Sequence, residues 1–380
     1  MNKILSVVWL LASLGESASI SAWDVMPGRY CDDRRLTRLR ATCVEGREAA
    51  LGHLAGDWGL VLGRLPVLWQ LETSDAVQST PQANGTTPVP FELGRTSFGH
   101  NRVTVILPAR KFLQRPSTVK AVVLHETVHA VFASQLGRRR YQALPQWFHE
   151  GIALLISGEG KAAWRQEIAY AVFQERPADS FLASLRSSSP SPAAAYCVVH
   201  WLHRRVGQKR LARLLRSIAA GQDFDTVLRR TAGFGTDQVR DLSVTAARRA
   251  VRETLSVQQQ ARFHELHRRL RGRDPSAAAA LESFVLESTH GVLAETAHYL
   301  LAKAAFRGER HDDAISHLRG ALSVRGPLWR PEVLLLLARS QAATGQVEAA
   351  RRSLQEAQEV FGEDRDVAAE ARVLAASWAH

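Results

Sequence analysis

The apolar run from Ala121 to Ala133 contains two histidines four residues apart, His125 and His129. Ionisable side chains are rarely buried unless they are paired or hold something, so this run constrains the chain more than any other stretch does. Val119, Val122, Val123, Val128 and Val131 give it helical spacing. Ser117, after Pro116, is placed to cap its start, and Gly137 to stop it. On a helix, residues four apart share a face, so both imidazoles can reach one metal ion. Glu126 lies one step round from His125, within reach of a water on that ion without being a ligand. The competing account is a pair of histidines on an ordinary core helix.

His125-Glu126-Thr127-Val128-His129 is an H-E-x-x-H pattern, in which two histidines hold zinc and the glutamate acts as general base. Zinc polarises a scissile carbonyl and lowers the pKa of its water from about 15.7 to about 7. Glu126 is the group placed to take that proton and return it to the leaving amine. A catalytic zinc takes three protein ligands and keeps one position open. One class draws the third from a His six residues after the second, with Gly halfway; Gln135 and Phe132 hold those places here. Another uses a glutamate on a later helix, and the stretch from Pro145 to Ala153 supplies one. Pro145 suits a helix start. Ile152, Ala153 and Leu154 continue an apolar helix towards Gly158, and Glu150 follows His129 by 21 residues, room for a basic loop that turns the chain back.

The paired motifs resemble those of the gluzincin metallopeptidases, specifically the bacterial peptidase MA-like family, over residues 60 to 245. The resemblance implies an α+β fold: a mostly helical catalytic domain with a small mixed sheet. It further implies one Zn2+ per chain on His125, His129 and Glu150, with Glu126 as general base and a peptide or protein as substrate. Such enzymes add an oxyanion donor, for which the resemblance points to Tyr196, with Tyr170 as competitor; a buried core tyrosine is the alternative for either. An edge strand before the zinc helix pairs with extended substrate in the family. Residues 103–107 are the candidate, ordinary sheet membership being the alternative. His149 departs from the small polar residue more usual before the ligand glutamate. It is expected on a different helix face, as a second-shell or surface group rather than a ligand.

The rest of the chain frames this centre. Met1-Asn2-Lys3, the apolar run Ile4 to Leu14 and small residues to Ala22 read as a bacterial-type signal peptide over residues 1–22. That predicts an exported protein, periplasmic or secreted, with no integral membrane span after cleavage; retention of the leader as an anchor is the alternative. Cys31 and Cys43 are candidates for a disulfide in an oxidising compartment, provided the basic segment between them turns, and Cys197 reads as a buried thiol. Residues 44–62 read as helix, 65–71 and 103–107 as strands, and 74–90 as a Thr/Pro/Ser/Gln-rich loop whose Asn84 sequon is incidental. Helices follow at 164–174, 193–205 and 209–220. The catalytic domain is thus expected over residues 23–250.

Residues 251–380 follow a different rule. Leu301-Ala302, Ala314, Leu318 and Ala321 recur 36 residues later as Leu337-Ala338, Ala350, Leu354 and Ala357, with Gly308 and Gly345 at the turns. This resembles tetratricopeptide repeats, an α-helical solenoid, with residues 255–295 as a degenerate first unit. Such repeats bind a peptide or partner protein; a mere brace is the alternative. The formal net charge of +12 is mostly arginine scattered along helical faces. No nucleic-acid motif accompanies it, so no nucleic-acid partner is expected. Three functions remain open: a zinc endopeptidase, a non-enzymatic envelope scaffold built on the repeats, and a metal-dependent hydrolase of a non-peptide bond.

Overall fold

In a computed structural model the described residues are 23–25, 33–72, 94–99, 101–109, 112, 119–174, 176–187, 190–254, 257–272, 274–288, 291–324, 330–361 and 374–375. The leader at 1–22, Cys31, Ser117 and the loop at 74–90 lie outside them. The chain divides into two compact units. The first comprises Met1–Leu113, Thr118–Leu144 and Gln208–Val227; the second comprises Gln114–Ser117, Pro145–Gly207 and Leu228–His380. Among the described residues, no helix is long and apolar enough to cross a membrane.

The first unit layers helices on a small mixed sheet, as expected of an α+β fold. Its strands are β1 (Trp23–Val25), β2 (Val67–Glu72), β3 (Arg95–Phe98) and β4 (Val103–Pro108), in the order β1-β2-β4-β3. The β1–β2 and β2–β4 pairs are parallel and the β3–β4 pair antiparallel. A parallel pair needs a crossover, and helix α1 (Asp33–His53) supplies it between β1 and β2. Helix α2 (Val119–Gln142) carries the paired histidines. Trp69 and Leu71 of β2, Val105 and Leu107 of β4, Leu39 and Cys43 of α1, and Val119, Val122 and Val123 of α2 make one buried cluster. Gly63 brings the chain leading into β2 hard against α2. A Cβ there would come within 2.4 Å of the Ser134 carbonyl oxygen, and the Gly63 N–H donates to Ser134 Oγ at 2.9 Å.

Two sequence expectations change here. The strand at 103–107 is not at the sheet edge: β4 is hydrogen-bonded to β2 on one side and β3 on the other. Five of its six residues are buried, as suits an interior strand with both faces covered. The edge strands among the described residues are β1 and β3, and β3, beside β4, has a short Arg-Thr-Ser-Phe sequence that carries too little apolar alternation to announce itself. The helix expected at 44–62 starts earlier, at Asp33, and ends in a π turn at Leu54–Trp58 that Gly59 closes in the left-handed region (φ 64°). The segment leading to Cys43 is therefore helical from Asp33 onwards and contains no turn. Cys43 is fully buried, and that burial pushes its thiol up to about 12.

The second unit is helical. Helices α3 (Gln146–Ser157), α4 (Gly160–Phe173) and α5 (Pro192–Val206) pack together. Helix α5 starts as its sequence dictates, with Ser191 Oγ accepting from the Ala194 N–H and Pro192 in the first turn. The chain leaves this unit for α6 (Gln208–Ala219), whose buried Leu211, Leu214, Leu215 and Ile218 belong to the first unit. After α7 (Phe224–Ala232) and α8 (Thr236–Thr254) come α9 (Val257–Arg271) and α10 (Pro275–Glu287). The helical pairs α11 (Gly291–Arg307) with α12 (His311–Ser323) and α13 (Arg330–Ala343) with α14 (Val347–Phe361) follow. Both members of every pair spaced by 36 residues are buried: Leu301 and Leu337, Ala302 and Ala338, Ala314 and Ala350, Leu318 and Leu354, Ala321 and Ala357. The sequence period is thus a packing period.

Gly151 sets how closely α3 and α5 approach. A Cβ there would fall 2.4 Å from the Ala195 carbonyl oxygen and 2.5 Å from Val199. Because the first of these atoms is backbone, no rotamer change relieves the clash. Gly151→Ala should cost about 1–3 kcal/mol through overpacking, read as a lowered midpoint in thermal or urea unfolding. An unchanged midpoint would mean that the α3–α5 contact is looser than described.

Candidate metal centre

The centre starts from α2, which must cover the sheet yet carries ionisable groups in its middle. Glu126 and His129 are each only 5% exposed. Burial at that level penalises unpaired polar atoms, so their partners define the site. His125 and His129 bring their Nε2 atoms to 3.1 Å of each other, with ring centroids 4.9 Å apart. Zinc–nitrogen bonds of about 2.0–2.1 Å to two atoms so spaced would meet at about 100°, close to tetrahedral. The far side of His129 is held as well: its Nδ1 lies 2.9 Å from the Tyr141 hydroxyl.

Glu126 points to the edge strand β3. Thr96 Oγ1 donates to Glu126 Oε2 at 2.8 Å. Gly94, just before β3, lies so near that a Cβ would be 2.8 Å from Glu126 Oε1. The threonine hydroxyl and the bare backbone at Gly94 therefore hold the carboxylate from the strand side.

Glu150 sits on α3, beside the Gly151 contact that fixes that helix on α5. His125, His129 and Glu150 each offer one ligand atom, and these atoms all lie within 4.8 Å of one another. No other group of three metal-ligating side chains of this kind occurs among the described residues. Two imidazoles and a carboxylate are a donor set that suits zinc. His149 Nδ1 lies 3.4 Å from Glu150 Oε1, so this histidine, expected beside the ligands or on the surface, neighbours the candidate ligand carboxylate.

The two tyrosines offered by the sequence differ in their surroundings. Tyr196 is buried, stacks on His200 at 5.2 Å between centroids, and fills the space that Gly160 leaves for lack of a side chain. Burial, helped by neighbouring Cys197, pushes its phenol above the ordinary range. Tyr170 is 38% exposed. Tyr141, which sequence reasoning passed over, is the tyrosine whose hydroxyl meets an expected ligand. Thr96 was missed too, because nothing in a four-residue polar strand marks a contact with a carboxylate thirty residues on.

A histidine pair one helical turn apart, a carboxylate that can complete a metal site, and a second, strand-held carboxylate beside them form the kind of centre that metal-dependent hydrolases use. Comparison with known proteins leads to the same class. Residues 90–246 match the family model of the Peptidase MA superfamily, a stretch that covers less than half of the chain and includes α2, α3 and α5. No curated protein and no solved structure matches the chain. The match and the His–His–Glu cluster together support a metallopeptidase of the peptidase MA kind.

The Thr96 contact can be tested separately from the metal. A hydrogen bond to a charged group is worth about 1.5–3 kcal/mol. Thr96→Val should therefore lower peptide hydrolysis about ten- to a hundredfold while zinc content stays at the wild-type value. Thr96→Ser should recover most of the rate. Full activity in the valine variant would remove Thr96 from any part in holding the base.

Proposed function

We propose that the chain is an exported zinc-dependent endopeptidase, with one Zn2+ held by His125, His129 and Glu150 and with Glu126 as general base. The observation that carries this reading is the grouping of those three ligand atoms within 4.8 Å, with the Glu126 carboxylate one residue along from His125. Zinc, when bound, supplies a Lewis acid that polarises the peptide carbonyl and makes water acidic enough to react near neutral pH. Glu126, aimed by Thr96, accepts the proton of the attacking water and delivers it to the departing amine nitrogen. Tyr196, protonated at neutral pH as tyrosines are, is the group assigned to donate its phenolic hydrogen to the developing oxyanion.

Strand β3 is the element that offers its backbone edge to an extended substrate, taking the part first given to 103–107. Its exposed Arg95 and Ser97 alternate with half-buried Thr96 and Phe98, so one strand both lines up a substrate and holds the base. The equal burial at 36-residue spacing supports a tetratricopeptide-like role for α11 to α14, binding a peptide or partner protein. The leader-like residues 1–22 support export.

Elemental mass spectrometry on the purified protein should find about one zinc per chain, and Glu150→Ala should lose it or hold it far more weakly. Glu126→Gln should keep the zinc and lose hydrolysis of a peptide library by at least about a hundredfold, as removal of a general base does. Turnover retained in Glu126→Gln would overturn the assignment of the base, and a wild-type protein that binds no added zinc would overturn the whole reading.

A further inference from the structure

Tyr141 lies twelve residues after His129 on what is nominally a single helix, α2. A continuous α-helix rises about 1.5 Å per residue, which would put these two residues about 18 Å apart along the axis. That is far beyond the span of a tyrosine side chain, yet its hydroxyl is 2.9 Å from His129 Nδ1. The cause is Gly137, where φ 69° and ψ 168° break the helix. Side chains seldom adopt that conformation, so a glycine there is a requirement of the path. Past the break, Arg138, Arg139 and Arg140 are exposed while Tyr141 turns back towards the histidine. The phenol ring is braced by Phe98 of β3, with centroids 5.5 Å apart, and stands nearly perpendicular to the His129 ring at 86°. The turn is closed by the Leu144 N–H, which donates to the Tyr141 carbonyl at 3.1 Å.

We propose that Tyr141 is a positioning residue for the zinc ligand His129, delivered to it by the helix break at Gly137. The proposal rests on the metallopeptidase reading above. His129 turns Nε2 towards His125, so Nε2 is the nitrogen available to a metal. With its lone pair committed there, the imidazole proton resides on Nδ1, and the phenol oxygen accepts it. When Nε2 instead carries the proton, the phenol donates to Nδ1. The contact survives both tautomers, so it fixes the plane of the ring whether or not the metal is present. A ring held in place before the metal arrives loses less rotamer freedom on binding it, and for outer hydrogen bonds to ligating histidines the usual effect is about 10–100-fold in affinity.

Tyr141→Phe is the informative change, since it keeps the ring against Phe98 and removes only the hydroxyl. Zinc affinity of the full chain, stripped of metal and titrated against a chromophoric chelator, should fall about 10–100-fold in this variant. The melting temperature of the metal-free protein should fall by no more than the few degrees that one lost hydrogen bond accounts for. Gly137→Ala meets nothing within 4 Å but strains the backbone, so it should move the turn and weaken zinc in the same direction. Zinc affinity in Tyr141→Phe within about twofold of wild type would overturn the positioning role while leaving the zinc site itself standing. An equal loss of stability in the metal-free variant would overturn it in favour of simple packing. A wild-type chain that binds no zinc would sink both this role and the reading it rests on.

Discussion

Burial of Glu126 and His129 in the helix that covers the sheet is the constraint from which the rest of the first unit follows. Each could have been an apolar residue at a gain in stability, because an ionisable group in a dry environment costs free energy until its polar atoms are satisfied. The fold satisfies them from two directions. A strand supplies a hydroxyl to Glu126, and a turn beyond a helix break supplies a phenol to His129. Neither partner lies within reach along an uninterrupted helix, so the tertiary structure around α2 is shaped by what its polar residues require. Val119, Val122 and Val123 of the same helix pack with Trp69, Val105 and Leu107 in the ordinary way.

Glycines make this arrangement possible, most of them by their size and one by its backbone angles. Gly94 and Gly63 lack a Cβ where the chain passes the Glu126 carboxylate and the α2 backbone. Gly151 lets α3 settle on the α5 backbone directly beside the expected ligand Glu150. Gly137 alone is needed for its backbone angles rather than for its size, since a Cβ there would meet nothing. The Glu-Gly pair at 150–151 thus has a packing explanation: the residue that offers a carboxylate is followed by the one that fixes its helix.

The histidine pair was legible in the sequence because its spacing is a property of one helix, and a four-residue period needs no tertiary information. Glu150 was legible only through its motif, since nothing in the spacing of 21 residues says that two helices return to the same place. The repeat period in residues 301–357 could be read because stacked helical pairs bury equivalent positions, and the buried alanines and leucines follow it. Thr96 and Tyr141 were not legible. One sits on a strand too short and polar to show alternation, the other beyond a break that reverses the direction a helical period assumes. The edge of the sheet was misplaced for a related reason: apolar content marks a strand as buried, and buried strands are interior ones.

Residues two apart on a strand share a face, which places Thr96 and Phe98 together on β3. Thr96 holds the carboxylate of Glu126, and Phe98 braces the tyrosine that meets His129. The two supports, independent in their chemistry, therefore share a mechanical origin in the seating of a single four-residue strand. Its pairing with β4 from Arg95 to Phe98 is what keeps them in register. A shift of β3 by one residue would turn both side chains to the opposite face and release Glu126 and Tyr141 at once. An extended substrate that added to the outer edge of β3 would lengthen the ladder and hold the strand more firmly in that register. On the proposed reading, binding of such a substrate and the seating of Thr96 and Phe98 would be coupled through the same backbone hydrogen bonds.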